Sequence, residues 1–225
     1  EIYTLSLHDA LPIWSAGDCI GREKTIAREE CLPDNTVHSN EGSHEKEEPV
    51  ELRKAQMVEL DHLMDIYVDG RRALAELGID QWQSGRPSAE MIADDIERGE
   101  FYLCVDDGVI AGAAMLGLRG DADYDLIKDS WLTDCTVANP DYLVVHRVVA
   151  DSRLGRRGVA SFLITAAEQM AREAGRASVR IDTHPGNVRM HGLLAKLGYT
   201  EVGVFLLPEG FEATRERVAY EKLVG

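Results

Sequence analysis

A turn rich in glycine and arginine, between a predicted strand and a predicted helix, is the segment of this sequence best suited to chemistry. The apolar strand ends at 148–150 (VVA), and the turn at 153–158 reads RLGRRG. The helix that follows repeats apolar residues at helical spacing from Val159 to Met170. Such a turn directs backbone N–H groups, the positive end of a helix dipole and arginine side chains to one point, which favours an anion such as a pyrophosphate.

The same pattern also has a purely structural interpretation. Glycine-rich turns between strands and helices are common in α/β folds, and an exposed arginine often contacts only solvent. The two common nucleotide-binding patterns are absent, because the sequence has no GxxxxGK[ST] and its glycines do not fit GxGxxG followed by an acidic residue. The local pattern alone leaves both interpretations open.

Several segments together resemble the GNAT superfamily of N-acetyltransferases. The turn segment GRRGVA (155–160) is similar to its acetyl-CoA loop, Q/R-x-x-G-x-G/A, with Gly155 in place of the usual Gln or Arg and the charge displaced to Arg156. Residues 187–199 match N-x-x-M-x-x-L-x-x-K-x-G-Y, which is typical of the end of these domains. Further likeness lies in ELRKAQMVELDHLMDIY, GIDQWQSGRPSAEMIADDI, WLTDC and VAYEKL, and narrows the resemblance to a bacterial subgroup. The resemblance spans residues 51–223.

Hydrophobic patterning and the resemblance predict the same architecture. Strands are predicted over 50–55, 101–105, 109–118, 142–150, 178–183, 200–206 and 217–223, and helices over 58–77, 87–98, from 159 and from 187. This order predicts an α/β fold with a GNAT-like mixed, strongly twisted central sheet flanked by helices. The strands 142–150 and 178–183 are expected to be parallel neighbours, joined by the helix that begins at 159.

Composition excludes some classes of partner and indicates a compartment. The net charge of −16 argues against a nucleic-acid or anionic-membrane partner, since either requires a basic face. The four cysteines show no CxxC pairing, which favours reduced thiols in a cytoplasmic protein. No apolar run approaches the length of a membrane span, and no metal-binding pattern is present. These features predict a cytoplasmic globular protein with no metal, no membrane and no nucleic acid.

The first 48 residues differ in character from the rest. They hold eleven acidic and four basic residues with sparse, unpatterned hydrophobic ones, so 1–48 is predicted to be a disordered extension and 49–225 the GNAT acetyltransferase domain. Residues 1–13 resemble the translation of a sequencing adapter, which makes the extension an artefact or a non-native segment. The alternative is a genuine acidic arm.

The resemblance implies an acetyl-CoA-dependent N-acetyltransferase that transfers the acetyl group directly to a primary amine of a small molecule. The alternatives are acetylation of a protein N-terminus or lysine, and a non-catalytic regulatory protein that binds acyl-CoA. A homodimer is compatible with the resemblance. The resemblance further implies that the strand backbone contacts the pantetheine arm, that the turn holds the pyrophosphate, and that no metal is needed. The implied cofactor-binding residues are Val148, Val149, Ala150, Gly155, Arg156, Arg157, Gly158, Val159, Ala160, Ser161 and Asn187.

Acetylation of an amine requires a base that removes the ammonium proton. Asp182 lies where some family members carry a catalytic carboxylate, and His146 and His184 are further candidates. Each has a structural alternative: Asp182 as a turn cap, His146 as a buried hydrogen-bonded residue, and His184 as an exposed loop residue. Many family members place a tyrosine general acid at the position of Leu194, which leaves water, His191 or Tyr199 for that role.

Two loops are expected to line the acceptor side of such a site. One is 78–87 with Trp82 and Arg86, and the other is 124–131. Trp82 is equally compatible with a packing role. The acids Asp121, Asp123 and Asp125 are expected either to attract a cationic amine or to form a solvated loop, because their spacing lacks the glycine and glutamate of a calcium loop.

Overall fold

One mixed β-sheet with helices on both faces organises the chain. The computed structural model describes residues 3–4, 50–155, 158–208 and 212–225. The strands are β1 Tyr3–Thr4, β2 Glu51–Lys54, β3 Phe101–Asp106, β4 Val109–Gly117, β5 Tyr142–Ala150, β6 Ser178–Thr183, β7 Thr200–Leu206 and β8 Glu216–Leu223. The helices are α1 Leu60–Glu76, α2 Ala89–Glu97, α3 Val159–Glu173 and α4 Val188–Lys196, with short 3-10 turns at Met57–Glu59, Ala122–Ser130 and Ser152–Leu154. The predicted mixed α/β fold is confirmed.

The strand order β1-β2-β3-β4-β5-β6-β8-β7 contains one parallel pair among the described residues, β5 with β6. As predicted, α3 connects these two strands. They pair from Tyr142↔Ser178 to Val145↔Ile181 and no further, although β5 continues for five more residues. Beyond Ile181, β6 continues only with β8. The two parallel strands therefore separate at the carboxyl end of β5.

The alternation of side chains along the strands places a hydrophobic core on each face of the sheet. Leu103 packs with Ile66 and Ile92 of α1 and α2, whereas its neighbour Cys104 packs with Phe162 of α3. The predicted apolar face of α3 is buried at Val159, Phe162, Leu163 and Ala166. On the first helix Leu63 and Tyr67 are buried as predicted, whereas Leu77, also predicted to face inward, is exposed because it lies just after the end of α1. Within the described residues, no helix has the length and apolar character needed to cross a membrane.

A β-bulge bends β5 where it leaves β6. Ala113 pairs with Val149 and Met115 with His146, so two residues of β5 stand opposite Ala114 alone. Arg147 in this bulge has a left-handed φ of 55°. The hydroxyl of Tyr67 donates to the carbonyl oxygen of Arg147, and the Arg147 Nη1 lies 2.6 Å from Asp95 Oδ2. These contacts from α1 and α2 hold the bend in place.

A buried ion pair docks the segment after β4 to the sheet. The fully buried Arg180 of β6 lies with its Nε 3.0 Å from Glu221 Oε1 of β8. Its guanidinium is stacked between the rings of Trp131 and Tyr142, at 4.3 and 3.9 Å from the centroids. Arg180 also donates to the Thr133 carbonyl at 2.9 Å. The segment that contains Asp121 and Tyr124 is thereby fixed against the sheet.

The predicted extension 1–48 lies outside the described residues, apart from β1. This two-residue strand pairs antiparallel with β2 at the edge of the sheet. The predicted domain start near Pro49 precedes β2 directly and stays a prediction.

Candidate active site

A cleft of about 390 Å³ opens where β5 and β6 separate. One wall is β5 from His146 to Ala150, and the facing wall contains Ile181, Asp182 and Thr183 of β6 with Asn187 at the start of α4. The α1 helix, the segment that follows it and the first turn of α2 close the third side. The lining residues from that side are Gly70, Ala73, Leu74, Leu77, Gln81, Trp82, Arg86, Pro87 and Met91.

The β5 wall offers a backbone edge to a ligand. Val148, Val149 and Ala150 line the cleft, and β4 occupies only the other edge of the strand. Because β6 pairs with β5 no further than Val145, an extended ligand has room to pair with β5 as an additional strand. Asn187 also lines the cleft, and its side chain caps α4 by accepting the Met190 N–H at 3.3 Å.

The start of α3 follows the end of this wall. Gly158 precedes the helix with a left-handed φ of 86° and no side-chain cap, and Gly155 is left-handed as well. The first helical N–H groups, those of Val159, Ala160 and Ser161, have no partner within a helix, which is the usual basis of an anion site. The side chain of Val159 is buried in the core. Arg156 and Arg157 lie outside the described residues.

Arg153 has a structural role in this turn. Its guanidinium lies 2.7 Å from Asp151 and 3.2 Å from Asp69 of α1. Its charge is thus neutralised by two carboxylates, and the expectation that the arginine side chains of the turn face one anion does not hold for Arg153. The contact ties the turn before α3 to α1.

A row of ionisable side chains lies at the base of the cleft. His146 Nε2 lies 2.6 Å from Asp121 Oδ2, and His146 Nδ1 lies 3.5 Å from Asp182 Oδ1. The hydroxyl of Tyr124 donates to Asp182 Oδ1 at 2.9 Å, and Arg217 Nε lies 3.7 Å from Asp182 Oδ2. Structure thus brings together Asp182 and His146, the two catalytic candidates predicted from sequence.

The surroundings change the proton affinities of these groups. Burial lowers the pKa of His146, but the hydrogen bond to Asp121 and the charges of Asp182 and Asp121 outweigh it, so the pKa is raised from its ordinary value. Burial raises the pKa of Asp182, with partial compensation from His146. For Asp121 the hydrogen bond and charge of His146 overcome the effect of burial, and the pKa is lowered. The resting cluster therefore favours an ionised Asp121 beside His146.

Two other candidates, His184 and His191, have structural partners. His184 accepts the Gly186 N–H on Nδ1 at 2.9 Å, so its Nε2 carries the proton and donates to Asp80 at 2.8 Å. His191 contacts the Tyr220 hydroxyl on Nδ1 and the carbonyls of His184 and Pro185 on Nε2. None of these histidine nitrogens contributes to the cleft lining. His184 is buried, which contradicts its interpretation as an exposed loop residue.

Neither Leu194 of α4 nor the nearby Tyr199 is placed to act as the general acid. Leu194 is fully buried, and Tyr199 is buried in the same core cluster rather than in the cleft. Burial raises the pKa of Tyr199 well above its ordinary value. Of the three candidates, water is therefore the one compatible with the position of the cleft.

Two chain segments meet over one end of the cleft, the end expected to receive the acceptor. The Trp82 N–H donates to Glu212 Oε1 at 2.7 Å, and Glu212 also pairs with Arg217. The Thr214 N–H donates to Asp80 Oδ2 at 2.6 Å. The segment after α1 and the segment before β8 therefore form a joined cover. Trp82 has the packing role that was one of its two interpretations, because its ring packs edge-on against Tyr67 at 5.4 Å. It also lines the cleft, and its role towards an acceptor stays a prediction.

The loop 124–131 does not lie where it was expected, on the acceptor side of the cleft. Tyr124 is fully buried beneath Asp182, and Trp131 packs against it at 4.9 Å, so these aromatic residues support the site from below rather than lie over the acceptor. Asp121 and Asp123 do line the cleft. Asp125 instead accepts the Val137 N–H at 3.0 Å. Glu212 and Arg217 were not predicted as site residues, since only the packing of separate segments brings them to the cleft.

Comparison with known proteins agrees with the fold. The family described as "Acetyltransferase (GNAT) family" matches residues 61–199. The chain is similar to a GNAT-family acetyltransferase from Streptococcus agalactiae, at 30% identity and a TM-score of 0.67, over 79% of this chain and 96% of that one. No curated protein sequence matches the chain.

More distant structures share the fold. PaiA N-acetyltransferase from Thermoplasma acidophilum, solved in complex with coenzyme A, is 16% identical with a TM-score of 0.55, over 77% and 98% of the two chains. YncA from Salmonella typhimurium, solved with its cofactor acetyl-CoA, is 14% identical with a TM-score of 0.53, over 78% and 94%. The class that these findings define is an acyltransferase. The chain belongs to the GNAT family of acetyltransferases.

Proposed function

We propose that this protein is an acetyl-CoA-dependent N-acetyltransferase of small, cationic primary amines. The observation that carries the proposal is the row Asp121–His146–Asp182 at the base of a cleft between separated parallel strands. A proton acceptor and a place for an extended thioester meet there. Acetyl-CoA as co-substrate supplies the activated acetyl group.

The residues of the cleft fit the parts of this co-substrate. The free edge of β5 at Val148, Val149 and Ala150 suits the amide groups of the pantetheine arm, and Asn187 lines the facing wall. The N–H groups at the start of α3, from Gly158 to Ser161, suit the pyrophosphate. Gly155, Arg156 and Arg157 belong to the same proposed loop. A backbone N–H of β5 near Val148 is proposed to stabilise the oxygen that gains charge during acyl transfer.

His146 is proposed to be the base, oriented by Asp121. Because ionised Asp121 accepts from Nε2, the neutral imidazole carries its proton on Nε2 and presents a lone pair on Nδ1. Nδ1 lies on the side of Asp182, which lines the cleft. Asp182 then attracts the ammonium group and stabilises the imidazolium that forms. This division of roles follows the logic of an acid–histidine pair in hydrolases.

The covered acceptor end favours a small molecule over a polypeptide. A protein substrate needs an open groove for the chain on both sides of the reacting amine. Here the contacts of Trp82 with Glu212 and of Asp80 with Thr214 close that end. Asp121 and Asp182 both contact His146, and Asp123 lines the cleft beside them, which favours a cation at this point.

Thiol release from acetyl-CoA tests the proposal with two panels of acceptors. One panel contains small primary amines, and the other contains peptides with a free N-terminus or lysine. We expect release that depends on a small amine, with the acetylated amine identified by mass spectrometry. Release with peptides alone would support the protein-acetyltransferase alternative. Release at the acceptor-free rate in both panels would contradict an enzyme and favour acyl-CoA binding without turnover.

A further inference from the structure

One buried guanidinium lies between two carboxylates of the cleft. Arg217 of β8 pairs through its Nη2 with Glu212, and both side chains are only 4% exposed. The Nε of the same guanidinium lies 3.7 Å from Asp182 Oδ2. All three residues line the cleft. A single cation therefore stands beside two acids and compensates the charge of only one of them.

The hydrogen bonds of Arg217 hold its guanidinium on the side of Glu212. Nη1 donates to the carbonyl oxygens of Thr214 at 3.1 Å and Glu216 at 2.7 Å, and Nη2 donates to the Glu212 carboxylate. The separation of 3.7 Å from Asp182 is too long for a hydrogen bond, so this second pair is an electrostatic contact alone. Glu212 thus has the stronger claim on the guanidinium.

Asp182 keeps one oxygen open to the cleft. Its Oδ1 accepts from the Tyr124 hydroxyl at 2.9 Å and lies 3.5 Å from His146 Nδ1. Within the described part of the chain, no group donates a hydrogen bond to Oδ2. Burial raises the pKa of this carboxyl, whereas His146 and the Tyr124 hydroxyl lower it. Arg217 also lowers this pKa, and the like charge of Asp121 raises it. An ammonium group would supply the donor and the positive charge that Oδ2 lacks.

We propose that Glu212 and Arg217 are positioning residues that keep Asp182 open to the ammonium group of the acceptor. This inference rests on the proposed function, in which Asp182 attracts that group. Because Glu212 holds the guanidinium, Arg217 does not form a hydrogen-bonded ion pair with Asp182, which would occupy Oδ2. The pair Glu212–Arg217 is neutral as a whole and leaves one negative charge at Asp182 for a cationic acceptor.

The same negative charge serves both the binding of the amine and the transfer of its proton. When the ammonium group gives its proton to His146 Nδ1, the positive charge moves from the amine to the imidazole. Both positions lie beside Asp182. A carboxylate already paired with a guanidinium attracts either cation more weakly. The position of Arg217 therefore affects kcat/KM for the amine and leaves the binding of acetyl-CoA unchanged.

Glu212→Gln tests this charge while it keeps the cover. The glutamine oxygen can still accept the Trp82 N–H, whereas its amide nitrogen cannot accept from Arg217. We expect Arg217 to turn to Asp182 and kcat/KM for the amine to fall about tenfold or more, with an unchanged KM for acetyl-CoA. Glu216→Gln makes the same change at an exposed position of β8 and should keep the full rate.

Removal of both members of the pair separates the effect of charge from the support of the cover. When Arg217→Gln is added to Glu212→Gln, no guanidinium is left to occupy Asp182. We expect kcat/KM for the amine to return to within about threefold of the unmodified protein. Support of the cover alone predicts the opposite, because the double variant loses more contacts than the single one. A double variant no more active than Glu212→Gln would overturn the proposal, as would full amine kinetics in Glu212→Gln.

The position of the guanidinium is also measurable without turnover. A crystal structure of Glu212→Gln should show a nitrogen of Arg217 within about 3 Å of Asp182 Oδ2. A guanidinium that stays 3.7 Å from this oxygen, as in the unmodified protein, would overturn the inference. If Arg217 moves as expected while the unmodified protein shows no amine-dependent turnover, the proposed function fails instead, so the two failures are distinguishable.

Discussion

His146 Nε2 lies 2.6 Å from Asp121 Oδ2, while Nδ1 of the same ring lies 3.5 Å from Asp182 Oδ1. The shorter contact determines the tautomer, and the longer one places the free lone pair beside a carboxylate that lines the cleft. Neither carboxylate alone accounts for a base at this position. The arrangement requires the bulge in β5 and the docking of the segment that carries Asp121.

The pH dependence of the reaction should follow His146. Its pKa is raised above 6.5, and only the neutral ring accepts a proton, so kcat/KM should rise with pH through the interval above that value and then level off. Asp182→Asn removes a negative charge that raises this pKa, and the rising limb should move to lower pH. Steady-state rates between about pH 6 and pH 9 measure it. A limb unmoved by this substitution would contradict the coupling.

Replacement of His146 by glutamine should remove the base while it keeps a similar volume. We expect kcat to fall by about 10² to 10⁴ with acetyl-CoA binding unchanged. His62→Gln, at an exposed position of α1, is the matched control and should keep the full rate. Kinetics and calorimetry with coenzyme A measure the two effects. Full activity in the His146 variant would exclude it as the base.

A charge at the start of α3 should separate cofactor binding from protein stability. Ser161→Glu places a negative charge beside the proposed pyrophosphate, so coenzyme A should bind about tenfold or more weakly. The same charge should stabilise the free protein by about 0.3–1 kcal/mol, because it interacts favourably with the helix dipole. Ser161→Gln is the neutral control. Calorimetry and thermal unfolding measure both effects, and equal affinity for the two variants would argue against an anion there.

The cover over the acceptor end should govern the KM of the amine. Glu212→Ala removes the partner of both the Trp82 N–H and Arg217. We expect the KM of a small amine to rise about tenfold with little change in the KM of acetyl-CoA, since the loss affects positioning of the acceptor. Glu216→Ala, an exposed acid on β8, is the control. Unchanged amine kinetics would mean that the cover does not contact the acceptor.

Removal of one partner of the buried ion pair Arg180–Glu221 should lower the free energy of unfolding strongly. Arg180→Met leaves the Glu221 carboxylate buried without its guanidinium, at an expected cost of about 3–5 kcal/mol. Arg98→Met breaks an exposed pair with Asp94 and should cost less than about 1 kcal/mol. Urea unfolding measures both. Equal midpoints would show that Arg180 does not hold the segment 131–135 in place.

The fold was largely predictable from local patterns. Apolar alternation located the strands, and the helix between β5 and β6 required a parallel pair. The bulge at Arg147 was not predictable, because its left-handed φ depends on Tyr67 and Asp95 from two helices. Because the bulge could not be predicted, the β5 sequence did not indicate where this strand separates from β6.

The site was predictable only in part, and the reason is distance along the chain. Asp182 and His146 lie on neighbouring strands, so their proximity followed from the predicted pairing. Asp121 reaches His146 across 25 residues, through a segment whose position depends on the buried Arg180. The sequence did not distinguish Asp121, Asp123 and Asp125 from one another. Packing placed Asp121 against His146, Asp123 in the lining of the cleft and Asp125 against the Val137 N–H.

The most direct test of the central claim is a crystal structure of the protein with coenzyme A and a trapped amine acceptor. The account predicts the pantetheine arm between β5 and β6, the pyrophosphate at the start of α3, and the amine nitrogen within about 3.5 Å of His146 Nδ1 or an Asp182 oxygen. A pantetheine arm outside this gap, or an amine bound away from both side chains, would contradict it.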